Sequence, residues 1–189
     1  VVNYDNAPKA PIYGAEADTV WTPFPELNPG MALTFAICFL DTKYTDYPNG
    51  RGFDEDTGLT FGPGGVLPLL PARDFTGNEI PRTPDLTYTV GVGQSVQTGN
   101  GTLEFGMDLS YNDGFWFSAQ NIDIEAVDSY YLLNAHLSYD YEPWDVRLSL
   151  WGKNLADTEY SQIIFIDDLG RNHVLNDPRT YGMRLTWQF

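Results

Sequence analysis

The side chains able to do chemistry are few and scattered. There are two histidines, His136 and His173, and one cysteine, Cys38. His136 shares a register with Asn134 and Ser138, where an imidazole serves either as a hydrogen-bonded wall side chain or as a ligand contact. His173 stands in Arg171–Val174 (RNHV), a polar patch suited to touching a substrate. Asp167 and Asp168 in Ile163–Gly170 (IIFIDDLG) read as a turn after a short hydrophobic run, with two carboxylates open to a ligand. Asp54–Glu55–Asp56 offers oxygen ligands for calcium but lacks the spacing of a calcium loop, so a solvated loop is expected. Cys38 lies in the apolar run Ala36–Leu40 without the cationic neighbours that activate a thiolate, and is expected to pack as a small side chain. No nucleophile elbow, phosphate loop or zinc motif is present. The expectation is no catalytic residue, no cofactor and no metal, and therefore non-covalent recognition.

Contacts of that kind need a scaffold, and the sequence supplies one of period two. Apolar and polar residues alternate in Ile12–Pro23, Met31–Tyr47, Leu86–Val96, Thr102–Asn112, Tyr131–Tyr141, Asp145–Leu155 and Thr180–Phe189. In the last of these, Tyr181, Met183, Leu185, Trp187 and Phe189 oppose Gly182, Arg184, Thr186 and Gln188. A strand sends successive side chains to opposite faces, so each stretch predicts a strand with one apolar face. No stripe of helical period competes, and no run of about 18 apolar residues could form a membrane-spanning helix. The fold expected is all-β, an antiparallel meander of about seven long strands.

The connections alternate in length. Phe24–Gly30, Thr98–Gly101 and Glu142–Trp144 are tight, whereas Pro48–Asp85, Ala119–Asp128 and Thr158–Asp177 are longer. Outer-membrane barrels sort their loops this way, with tight turns on the periplasmic side and long loops outside. Aromatic residues, 15% of the chain, form two bands. Trp21, Tyr139, Tyr141, Trp144, Trp187 and Phe189 sit near the tight turns, and Tyr44, Tyr47, Tyr111, Phe115, Phe117, Tyr131, Tyr160 and Tyr181 near the long loops. Belts at both interfaces are expected of a lipid-facing wall. The net charge of −16 argues against nucleic acid as a partner. Seven is an odd number, and lipid tolerates no open sheet edge, so the chain is expected to be a fragment of a larger barrel.

Within this pattern, Leu150–Tyr160 (LWGKNLADTEY) and Pro178–Phe189 (PRTYGMRLTWQF) resemble the carboxy-terminal signature of TonB-dependent outer-membrane receptors. Ile12–Trp21, Leu40–Tyr47, Phe75–Pro84 and Ser129–Tyr139 resemble further pieces of that family, in order. The resemblance implies that residues 1–189 are the C-terminal portion of a 22-stranded transmembrane β-barrel, open as a fragment. It implies the outer membrane of a Gram-negative bacterium and energised uptake of a scarce nutrient, foremost a ferric siderophore or other iron complex. The partners implied are outer-membrane lipid, a plug domain and earlier strands of the same protein, the TonB complex acting through that plug, and the barrel-assembly machinery. The assembly signal would be Tyr181, Met183, Leu185, Trp187 and Phe189. Asn154, Leu155, Asp157, Tyr160, Arg179 and Gly182 are expected to be structural. Asn154 would bond the backbone of its turn, Arg179 would pair with Asp157 or Asp177, and Gly182 would leave room for plug or loop. A porin-like diffusion barrel and a secreted carbohydrate-binding β-domain are the alternatives.

Overall fold

Alternating side chains are all accommodated only when each stretch becomes a strand whose two faces meet different surroundings. The computed structural model describes residues 9–62, 70–167 and 170–187. All seven stretches are strands: β1 Ile12–Trp21, β2 Met31–Thr42, β3 Leu86–Thr98, β4 Gly101–Asn112, β5 Tyr130–Tyr141, β6 Val146–Lys153 and β7 Thr180–Trp187. They form one antiparallel sheet in chain order, with β1 and β7 at its edges. Helical structure among the described residues is confined to the 3₁₀ turns Asp123–Glu125 and Glu142–Trp144. No helix there is long and apolar enough to cross a membrane. Gln188 and Phe189 lie outside the described residues.

The register carries the alternation across the whole sheet. Trp21, Leu33, Val92, Met107 and Ala135 follow one another from β1 to β5, and Leu150 pairs with both Leu137 and Met183. This apolar face is uncovered: Tyr181 is 80% exposed, Met183 70% and Leu185 67%. The opposite face is tied together by polar groups. The Thr89 and Ser110 hydroxyls lie 3.0 Å apart, Asn134 Nδ2 donates to Asp108 Oδ2 at 2.8 Å, and Ser138 Oγ donates to Ser149 Oγ at 2.9 Å. Arg147 pairs with Asp140 at 3.0 Å and with Glu104.

Gln94 is one departure on the apolar face, where it opposes Phe105. Its amide exchanges two hydrogen bonds with that of Asn28, at 2.9 and 2.8 Å, so its polar atoms are satisfied by the adjacent tight turn. Aromatic pairs mark both rims. Tyr88, Tyr111 and Tyr131 are successive cross-strand neighbours near the long loops, with Tyr88 and Tyr111 stacked at 4.9 Å. Tyr141 meets Trp144 at 5.3 Å beside a tight turn.

The buried apolar side chains among the described residues are Phe61, Phe75, Val127 and Ile164, all in the long connections. Those connections are more ordered than the sequence suggested. Residues 43–85 contain the short strands Gly52–Phe53, Thr60–Gly62 and Leu70–Pro71. Phe115–Trp116 pairs with Ala126–Val127, and the expected last loop is a hairpin of Ser161–Asp167 with Gly170–Leu175. β2 ends at Thr42 and not at Tyr47 because the next aromatics join a loop core instead. Tyr44 meets Tyr47 at 4.8 Å, Tyr47 meets Phe75 at 5.3 Å, and Phe75 meets Phe61 at 6.0 Å. Burial, then Tyr47, raise the pKa of the Tyr44 hydroxyl.

In the complete barrel, Leu185→Arg places a charge on the apolar face and should cost about 2–4 kcal/mol near the bilayer midplane. Gln97→Arg, on the polar face, should cost far less. Urea unfolding in lipid vesicles checks the difference; equal effects would contradict the assignment of faces.

Candidate functional site

The outer end of β6 is a junction built by side chains standing in for backbone. Asn154 adopts a left-handed conformation (φ 48°) and is 5% exposed. Its Nδ2 donates to the carbonyls of Thr158 (2.8 Å) and Asp177 (3.1 Å), and its Oδ1 accepts from Thr158 N–H (2.9 Å). Leu155 N–H donates to Leu133 O at 2.8 Å, keeping the turn against β5. The Arg179 backbone N–H donates to Asp157 Oδ1 at 2.9 Å and its guanidinium pairs with Oδ2 at 3.3 Å. Asp157 is thus the arginine's partner, while Asp177 contributes its carbonyl to Asn154. Tyr160 stacks on Tyr130 with centroids 3.8 Å apart.

From this junction rises the hairpin 161–175, with His173 opposite Ile164 and Arg171 opposite Ile166. His173 Nδ1 and Ser161 Oγ lie 3.0 Å apart. His173 and Arg171 join Asp128, Tyr130 and Tyr160 around a cavity of about 300 Å³. Asp167 pairs with Gly170 at the end of the hairpin, and Asp168 lies outside the described residues.

His136 is placed elsewhere, in the middle of the polar face. Its ring lies over Gly106, where a Cβ would come within 2.2 Å of His136 Cε1. The room above Gly182, expected for a plug or loop, is taken by the indole of Trp151, 2.6 Å from where a Cβ would stand. Cys38 lies between Glu16 and Thr87 on the same face, half-buried.

The acidic loop is only partly solvated. Glu55 and Asp56 are exposed, but Asp54 accepts from Thr57 N–H (3.0 Å) and Thr57 Oγ1 (2.9 Å) and pairs with Arg73. The Arg73 bond, then those from Thr57, hold its carboxyl below the usual range. No group of three or more His, Cys, Asp or Glu side chains among the described residues has metal-binding geometry. A second cavity, about 370 Å³, opens among Glu79, Asp85, Asp113, Trp116, Asp123 and Asp128. Burial raises the Asp113 pKa, with the Asp85 charge adding to it.

Residues 2–155 match the family of TonB-dependent receptor-like β-barrels. The chain belongs to that family. Solved structures of similar fold include the ferric yersiniabactin uptake receptor FyuA from Yersinia pestis, with TM-score 0.71 and 19% identity over 95% of this chain and 24% of that one. The siderophore receptor PiuA from Acinetobacter baumannii matches with TM-score 0.66 and 18% identity over 93% and 21%. The ferric citrate transporter FecA matches with TM-score 0.66 and 19% identity over 95% and 24%. The chain spans about a quarter of the length of these structures. Family membership makes it receptor barrel wall and not an enzyme, and separates it from the porin and soluble-domain alternatives.

Both of these cavities lie on the long-loop rim. Sequence reasoning singled out His173 but not its neighbours Asp128 and Tyr130, which reach it from the start of β5, nor Arg171 on its own strand. Arg171 alone carried a signal, standing two residues from His173 and so on the same face of a strand.

Two outcomes follow for the complete receptor. Asn154→Ala removes three buried bonds and the amide that suits a left-handed residue, and should cost about 2–3 kcal/mol, read as faster proteolysis of residues 154–179. Because the folded pKa of Asp113 is raised, its ionised form opposes the native loop at neutral pH, and protonation as pH falls relieves this. Asp113→Asn should slow cleavage of residues 113–129 at pH 7, and the advantage should vanish near the ordinary carboxyl value of 3.8.

Proposed function

We propose that this chain forms part of the wall and outer vestibule of a TonB-dependent importer in the outer membrane of a Gram-negative bacterium. The proposed cargo is a ferric siderophore or another iron complex. The observation that carries the proposal is the combination of an uncovered apolar sheet face with long, structured loops on one rim, holding cavities of about 300 and 370 Å³, and tight turns on the other. The first is suited to lipid and the second to ligand. The matched receptors named for ferric yersiniabactin, siderophore and ferric citrate support an iron complex as cargo.

In this proposal, residues 1–189 supply the last seven strands of a 22-stranded barrel. Further strands pair with the edges of β1 and β7, and a plug fills the lumen against the polar face and couples to TonB. Ligand contacts are assigned to His173 and its cavity, with Asp167 and Asp168 as further candidates. His136, below the rim, faces the path of the cargo. Tyr181, Met183, Leu185, Trp187 and Phe189 present the alternating aromatic end to the barrel-assembly machinery. Deleting Phe189 should lower the amount of receptor in the outer membrane without changing the affinity of assembled molecules.

The test replaces residues 161–175 of the full-length receptor by a tight turn, in cells lacking other iron receptors. Uptake of radioactive iron is followed from ferric citrate, ferric yersiniabactin, a ferric catecholate and a ferric hydroxamate, with cobalamin and an oligosaccharide as non-iron cargo. The parent should import at least one iron complex in a TonB-dependent manner. The shortened receptor should assemble normally and lose most of that uptake. Undiminished import of every complex after the replacement would exclude the hairpin from recognition, and TonB-independent uptake would overturn the importer.

A further inference from the structure

We infer that the adjacent side-chain amides of Gln120 and Asn121 are positioning residues. They latch loop 43–85 onto loop 113–129 and so set the shape of the entrance wall before ligand arrives. Gln120 Oε1 accepts from Phe53 N–H at 3.2 Å and its Nε2 donates to Phe53 O at 2.6 Å. Asn121 Oδ1 accepts from Glu79 N–H at 2.6 Å and its Nδ2 donates to Glu79 O at 3.2 Å. Each amide therefore satisfies both polar groups of one residue in the other loop, as a neighbouring strand would. Only a primary amide carries donor and acceptor in that fork; a carboxylate accepts but cannot donate to a carbonyl.

The two points held are far apart in sequence but belong to one loop, so the latch closes that loop upon itself as well as upon its neighbour. Asn78 Nδ2 returns the contact by donating to the carbonyls of Ala119 (2.9 Å) and Gln120 (3.1 Å). Arg82 N–H donates to Trp116 O at 2.8 Å, and its guanidinium lies 4.9 Å from the centre of the Phe117 ring. Asn121 holds a left-handed backbone (φ 53°) to reach Glu79, a conformation asparagine tolerates better than most residues. Glu79 also forms a backbone bridge with Lys43 and lines the 370 Å³ cavity with Asp85, Asp113 and Asp128. Releasing Asn121 therefore alters the wall of a cavity on the ligand side of the barrel.

The consequence for affinity rests on the import proposal; the latch itself does not. The experiment uses the full-length receptor in detergent micelles and follows backbone hydrogen exchange by mass spectrometry. In the Gln120→Ala/Asn121→Ala double variant, segments containing Phe53 and Glu79 should exchange at least tenfold faster, with β3 and β4 unchanged. Gln120→Glu, which keeps the acceptor and loses the donor, should accelerate the Phe53 segment alone. Gly52→Ala, whose new Cβ would stand 2.0 Å from Gln120 Oε1 and so displace that amide, should do the same with Gln120 and Asn121 both left in place.

In cells, uptake of the ferric complex identified by the panel above should need at least tenfold more ligand for half-saturation in the double variant. Its maximal rate should stay within twofold of the parent's. Unchanged exchange at Phe53 and Glu79 would overturn the latch, and faster exchange with unchanged half-saturation would overturn the positioning role. Should the parent import no ferric complex, the import proposal fails and exchange alone decides the latch.

Discussion

Everything in this molecule depends on strict two-residue registration across an antiparallel ladder. Backbone N–H and C=O groups of each inner strand are consumed by its two neighbours, so a side chain is free to face only one of two media. A slip of one residue in β7 would exchange Leu185 for Arg184 and send a guanidinium to the apolar side. The inner registers are pinned in the same way: a slip of β6 on β5 would part Arg147 from Asp140 and Glu104, and a slip of β5 on β4 would part Asn134 from Asp108.

The same constraint explains where burial occurs. A wall between lipid and an aqueous lumen has no interior of its own, so its apolar side chains stay outside and its polar ones bond laterally. Conventional cores form only where the chain leaves the wall. The Tyr44–Tyr47–Phe75–Phe61 cluster and the hairpin around Ile164 are small interiors of this kind, perched on the long-loop rim. They allow loops of great length to hold shape, which a binding surface needs if it is not to lose affinity to ordering on each encounter.

The wall was legible in the sequence because period two is a local signal repeated seven times. Strand ends agreed within a few residues except at β2, whose continuing aromatics belonged to a tertiary cluster that no local pattern reveals. The junction was legible in chemistry more than in geometry. An asparagine entering a turn suggested backbone bonding, yet the choice of Asp157 over Asp177 for Arg179 depends on how the turn folds. Gly182 was read as space, whereas a neighbouring strand's Trp151 fills it, since cross-strand partners follow only from register. The loops were the least legible. Gln120 and Asn121 look like ordinary polar loop residues until Phe53 and Glu79 are brought beside them from a distant segment.

The central claim, a wall with lipid on one side and water on the other, is tested most directly along β4. Single cysteines at Leu103, Glu104, Phe105, Met107, Asp108, Leu109 and Ser110 of the full-length receptor would each carry a spin label in a lipid bilayer. Collision rates with oxygen and with a water-soluble nickel chelate would then be compared. The account predicts strict alternation, with labels at 103, 105, 107 and 109 favouring oxygen and those at 104, 108 and 110 favouring the chelate. Uniform access to the chelate along the strand, or alternation of the opposite phase, would contradict it.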